Sequence, residues 1–177
     1  MKRRFLALVL AGCLAAVLST AAWAMSPTAV STADELTAAL GNAAVTSIQL
    51  TGNIDISSTL VVTKDVTLDL NGHVLKMTGN GRVIHVKSGT LTLKDSNTEG
   101  KSHDFKVEDS GLWTLADDSY TSERKTVKGG VITGGTGSTY KYNNDIGQIV
   151  YNDCGGGMFV APGASFVMEG GNIVGCS

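Results

Sequence analysis

The sequence predicts an all-β fold: three parallel sheets wound into a solenoid of about three and a half coils, with a short α-helix capping the first coil. Two repeats carry this reading. Leu60 to Gly72 recurs as Val83 to Asp95 at an ungapped shift of 23, which sets Lys64 on Lys87, Thr67 on Thr90, Leu68 on Leu91, Leu70 on Leu93 and Val61 opposite Ile84. Lys128 to Gly134 recurs as Glu169 to Gly175 at a shift of 41. Units of roughly 20 to 23 residues, made of short alternating segments and Gly, Asn, Asp or Lys turns, cannot bury an apolar face alone but can when stacked.

The chain opens with Lys2, Arg3 and Arg4, an apolar run from Phe5 to Ala24, and the triplet Ala22, Trp23, Ala24. This is the pattern of a secretory signal peptide over 1–24. Leu10 to Cys13 also resembles a lipoprotein box, but the residues after Cys13 stay apolar, so acylation there is the weaker reading. An N-terminal segment with its capping helix is expected over 25–44. Ser31 or Thr32 caps that helix, Asp34 and Glu35 suit its positive first turn, Leu36, Ala39 and Leu40 form its apolar stripe, and Gly41 can stop it.

The stacked units occupy 45–177. Ile48, Leu50, Ile54 and Ile56 precede Leu68, Leu70, Val74 and Lys76 by 20 residues, and the last match fails. A further copy begins at Met158. The third segments are Val74-Leu75, Val131-Ile132 and Ile173-Val174. Two stretches break the period, 96–128 and 136–156, both beside the sheet of Leu75, Ile132 and Ile173; such rim loops are where function concentrates. A leucine-rich repeat would need a regular Leu and Asn spacing, and a β-sandwich competes because it too has short strands and turns. Short stacks recover the entropy of ordering only from their neighbours, and the last strand stands close to Ser177, so further coils of the same chain are expected beyond it.

Beyond residue 24 the chain carries 11 basic and 16 acidic residues, with no basic stripe, which argues against a nucleic-acid partner. No run after residue 24 is long enough for a membrane span. Six of the eight aromatics in this part fall between 105 and 151: Phe105, Trp113, Tyr120, Tyr140, Tyr142 and Tyr151. Phe159 and Phe166 read as core. Trp113, Tyr120, Tyr140, Tyr142 and Tyr151 are the ligand-binding candidates, because rings with polar handles suit sugar stacking and protein contact; the alternative is a satellite core that ties the loops down. Cys154 and Cys176, about one coil apart, either form a disulfide or remain two buried thiols.

The repeats Gly155-Gly156-Gly157-Met158-Phe159-Val160 and Glu169-Gly170-Gly171-Asn172-Ile173-Val174-Gly175 resemble those of bacterial surface proteins with a right-handed parallel β-helix of the pectate-lyase-like group. The resemblance covers about 45–177. It implies a secreted or cell-surface scaffold, adhesin-like, that presents loops to glycans or to host or surface proteins. The alternative it implies is a polysaccharide lyase or glycoside hydrolase whose catalytic residues lie mostly beyond Ser177. Lyases of that group use Ca²⁺, and Asp104, Glu108, Asp109, Asp117 and Asp118 are the weak candidates to hold it, with Lys101, Lys106, Arg124 and Lys125 balancing much of their charge. No other cofactor is expected. No catalytic residue is assigned: Arg82 and Arg124 lack a flanking motif, Asp69 and Asp95 are not equivalent in the repeat, Asp69 reads as an outward strand residue, and His73, His85 and His103 have no ligand spacing.

Overall fold

The computed structural model describes residues 26–117, 123–143 and 149–177, with the strands of 138–143 and 149–154 described by their backbone pairing. The expected signal peptide, the Cys13 box, Asp118 and Tyr120 lie outside these residues.

Seventeen strands and one helix are described. Sheet 1 runs β1 (Thr28–Val30), β2 (Ser47–Leu50), β5 (Val66–Asp69), β8 (Thr90–Lys94), β16 (Ser165–Met168). Sheet 2 runs β3 (Ile54–Ile56), β6 (Val74–Met77), β12 (Val131–Thr133), β17 (Asn172–Ile173). Sheet 3 runs β4 (Leu60–Val62), β7 (Ile84–Val86), β15 (Met158–Val160). From β2 onward the chain visits the sheets in the fixed rotation 1, 2, 3, and every pairing within them is parallel. The chain is therefore mostly β, and its parallel strands fit a β-helix.

Alternation puts every second residue inside. Ile48, Leu68 and Leu93 pair in sequence across sheet 1, and all are buried, as are Ile54, Leu75 and Ile132 across sheet 2 and Leu60 and Ile84 in sheet 3. Met158, Phe166 and Ile173 pack half-buried against this core.

The helix α1 (Ala33–Gly41) forms where expected, and Thr32 is its N-cap. Thr32 Oγ1 accepts from the Glu35 amide at 3.2 Å, while the Glu35 carboxylate accepts from the Ser31 and Thr32 amides at 2.8 and 3.2 Å, a reciprocal box. The Ser31 amide and hydroxyl are the main reason the Glu35 carboxyl lies below its ordinary pKa. Leu36, Ala39 and Leu40 are buried in the main core. The helix lacks a basic residue in its last turn, and Lys64 from a later turn supplies one: its Nζ donates to the carbonyls of Ala39 at 3.2 Å, Val45 at 2.6 Å and Asn42.

The registers correct the repeat alignment. The shift of 41 holds, with Val131 on Asn172 and Ile132 on Ile173. The shift of 23 does not. Sheet 3 pairs Leu60 with Ile84 and Val61 with His85, and sheet 1 pairs Val66 with Leu91 and Leu68 with Leu93. A one-residue slip reverses the faces of a strand. Val61, expected opposite Ile84, is 45% exposed. The extra residue of the later unit is taken up where Gly89, at φ 74, lies on the Lys64–Asp65 peptide, so close that a Cβ there would be 2.5 Å from the Lys64 carbonyl carbon. The shift of 20 holds for Ile48 on Leu68 and becomes 21 beyond the following turn, with Ile54 on Leu75 and Ile56 on Met77, which explains the failed match at Lys76.

Two further corrections concern side chains. Phe159 is not core: it pairs with His85, on the same outward row as Val61, and its ring meets the His85 ring edge-on at 5.1 Å and the Arg82 guanidinium at 4.5 Å. Asp69 stands on the outward row, paired with Gln49 and Lys94, yet it is covered there and only 9% exposed. Its Oδ1 accepts from the Asn71 and Ser96 amides, both at 2.9 Å, and its Oδ2 accepts from Gln49 Nε2 at 2.9 Å. Burial by itself would raise the Asp69 pKa, but the hydrogen bonds from Ser96, Gln49 and Asn71 outweigh it and hold the carboxyl below its usual range.

The period-breaking stretches are not plain loops. The first holds an antiparallel sheet, β10 (Trp113–Leu115), β9 (Ser102–Val107), β11 (Lys125–Lys128), and the second a strand pair, β13 (Ser138–Asn143) with β14 (Ile149–Cys154). They lie directly before and after β12, on the two borders of sheet 2.

Candidate functional site

The first insertion is fixed to the stack by a second, smaller core. Phe105 on β9 is fully buried and packs with Val74 and Val131 of sheet 2, and Trp113, Leu115, Val127 and Val174 close around them. The Trp113 and Phe105 centroids are 6.3 Å apart with their planes tilted 43°. Trp113, a ligand-binding candidate in the sequence, is thus half-buried in the anchoring cluster.

Polar groups pin the root of the insertion. Lys101 Nζ lies 2.9 Å from Nε2 and 3.1 Å from Nδ1 of His73, within reach of both ring nitrogens. His103 Nε2 donates to the Gly72 carbonyl at 2.9 Å. The Gly129 amide donates to the Lys101 carbonyl at 2.9 Å, closing the two ends of the insertion on each other. Asp95 Oδ1 accepts from the Gly72 amide at 2.7 Å and Oδ2 from the Gly130 amide at 2.6 Å. Burial, then the Lys101 and His103 charges, push the His73 pKa down, so the ring is neutral at pH 7 and can accept from Lys101.

Above this root a polar groove of about 320 Å³ opens between the insertion and the stack. Asn53 and Val74 form its stack side, and Ser102, His103, Asp104, Leu115, Ala116 and Arg124 its insertion side. Asp104 Oδ2 is 3.2 Å from Arg124 Nη1, and its Oδ1 accepts from the Thr126 hydroxyl at 2.8 Å. The Thr126 hydroxyl and the Arg124 guanidinium hold the Asp104 carboxyl below its ordinary pKa. This arrangement is suited to recognition: it offers fixed donors and acceptors beside a small apolar patch.

Among the described residues, the acids named for Ca²⁺ do not share a center. Glu108 accepts from Lys106 at 3.0 Å and from the Thr114 hydroxyl at 3.1 Å, and these bonds lower its pKa. Asp109 is exposed, and the Asp117 carbonyl accepts from Arg124 at 3.5 Å. Among the described residues no three of His, Cys, Asp and Glu converge as a metal set. Asp118 and Tyr120 lie outside the described residues, and so do the side chains of Tyr140, Tyr142, Tyr151 and Cys154. The backbone pairs Tyr140 with Asn152, Tyr142 with Val150 and Tyr151 with Lys141. Cys176 is a half-buried free thiol, and burial pushes its pKa up.

Asn53, His73, Lys101 and His103 were not singled out as binding residues by the sequence. The available signal was positional: Lys101 and His103 stand where the first break in the period begins, and His73 stands in the turn it rises beside.

A family model described as "Putative pectate lyase-like adhesive domain" matches residues 27–149, more than half of the chain. No curated protein and no solved structure matches the chain. Among the described residues no helix is long and apolar enough to cross a membrane.

Proposed function

The chain belongs to the pectate lyase-like adhesive domain family, and from that premise we propose that it is an adhesin-like scaffold, secreted or displayed on a bacterial surface after removal of a signal peptide over 1–24. Its frame is a right-handed parallel β-helix of about three and a half coils, capped by α1. The rim insertions at 96–128 and 136–156 present its binding surface to glycans or to surface proteins.

The family match over the parallel sheets carries this reading. The placement of the insertions supports it. An adhesive surface has to keep its contacts in a fixed arrangement under load, and preorganisation reduces the ordering cost of each contact. Both insertions flank one strand, β12, and the first is anchored by fully buried Phe105.

The test is retention of beads coated with the full chain on surfaces bearing plant polysaccharide, mucin or host matrix protein. Retention on at least one surface is expected, and it should fall when 102–127 is replaced by a short Gly-Ser linker. Retention that is absent on every surface, or that survives replacement of both insertions, overturns the proposal. Release of unsaturated uronides from acidic polysaccharide by the same chain would replace it with the lyase reading.

A further inference from the structure

We propose that the groove at the root of the first insertion binds one residue of a neutral saccharide; this rests on the adhesive reading above and names its ligand class and its place.

The groove's polar atoms can be assigned one by one. Asn53 Oδ1 accepts from the Val74 amide at 3.0 Å, so its Nδ2 is the outer atom, a donor with no partner among the described residues. A carbonyl can only accept, so His103 Nε2 carries the proton it donates to Gly72, and Nδ1 is the ring's remaining hydrogen-bonding atom. Ser102 is exposed, and its hydroxyl both donates and accepts. Leu115, Ala116 and the buried Val74 add an apolar patch beside these groups.

A sugar ring has the matching chemistry: neighbouring hydroxyls that donate and accept, and a face of C–H groups that prefers an apolar surface. At about 320 Å³ the groove lies at the small end of ligand sites, room for one sugar residue with its linked neighbours passing out over the rim.

Charge selects the class of sugar. The cation of the groove, Arg124, is paired with Asp104 at 3.2 Å, and the Thr126 hydroxyl holds that carboxylate in place. A uronate or phosphate would bring a charge that this pair already balances, and would lie against the Asp104 carboxylate. A neutral hexose or N-acetylhexosamine meets no such penalty.

The experiment is an NMR titration of the full ¹⁵N-labelled chain with methyl glucoside, methyl galactoside, methyl N-acetylglucosaminide and galacturonic acid. Saturable shifts at the amides of Asn53, Ser102, His103 and Ala116 are expected with at least one neutral glycoside, with galacturonic acid about ten-fold weaker or worse. Ser102→Ala removes an exposed hydroxyl without touching the core, and Asn53→Asp keeps the acceptor for Val74 while losing the donor. Each should weaken binding about five- to ten-fold with the rest of the spectrum unchanged. Shifts confined to 138–154, or galacturonic acid binding as well as the neutral sugars, overturn this site and leave the adhesive reading standing. Silence from all four sugars overturns it as well, and the bead assay then decides the adhesive reading independently.

Discussion

Asp95 is the side chain on which the joint between stack and insertion turns most heavily, and its removal has a calculable cost. The carboxylate takes the Gly72 amide at 2.7 Å and the Gly130 amide at 2.6 Å, in a part-buried corner. Hydrogen bonds to a charged group contribute about 1.5 to 3 kcal/mol each. Asp95→Ala should therefore cost about 3 to 5 kcal/mol once some water reaches the freed amides, a large share of a typical domain's 5 to 15 kcal/mol. Asp95→Asn keeps one acceptor and turns its amide toward the other donor, so about 2 to 3 kcal/mol is expected. In urea unfolding followed by circular dichroism, a slope near 2 kcal/mol/M converts these into midpoint losses of about 1.5 to 2.5 M and about 1 to 1.5 M. An Asp95→Ala midpoint within about 0.3 M of the parent, or an Asn variant as stable as Asp, would refute the assignment.

Phe105→Ala should cost about 3 to 5 kcal/mol but act locally, since Phe105 belongs to the smaller cluster; hydrogen exchange should rise across 102–128 and not across β5 or β8, and uniform loss over the stack would contradict it. Lys64→Met should cost about 1 to 3 kcal/mol and speed exchange in α1 above all, because Lys64 holds carbonyls at the helix end. His73 has a folded pKa below its unfolded value near 6.5, so its contribution to stability is complete above that pH and is lost as pH falls toward and through the folded value. The melting temperature should show that acid loss, His73→Gln should remove it, and an unchanged pH profile in the variant would exclude His73 as its source. Gly130→Ala places a Cβ 2.3 Å from Leu70 Cβ and 3.2 Å from the His73 carbonyl, so overpacking should destabilise by about 1 to 3 kcal/mol; a neutral effect in the same urea assay would show that the corner can open.

The stack was legible in the sequence because period-2 alternation and recurring turns are local signals that survive without knowing which residues pair. The rotation of three segments, the helix with its Thr32 cap, and the 41-residue repeat all have this character. Register was less legible. Lys64 over Lys87 and Leu68 over Leu91 make a persuasive identity match, yet the energy follows the buried column, and Leu60, Ile84, Leu68 and Leu93 fill it better. In sheet 3 a shift of 24 in place of 23 is enough to put Val61 and Phe159 on the outward row of His85, where Phe159 serves His85 and Arg82 instead of the core.

The candidate site was hidden for a related reason: its members are distant in sequence and become neighbours only through docking. Asn53 belongs to an early turn of the stack, Ser102 and His103 to the first strand of the insertion, Ala116 and Arg124 to later parts of it, and nothing periodic links them. What brings them together is a set of contacts whose sequence signal is ordinary: a buried Phe105, a lysine over His73, and an aspartate between two glycines. The rim aromatics were conspicuous by composition, but composition does not distinguish an anchor from a contact. Trp113 shows the difference, since its ring tilts onto Phe105 and its apolar area serves to hold the insertion on the stack. In a stacked-coil protein the residues that position a rim site are therefore better sought where the period breaks, among polar residues flanking the first and last residues of the insertion, than among its most aromatic stretches.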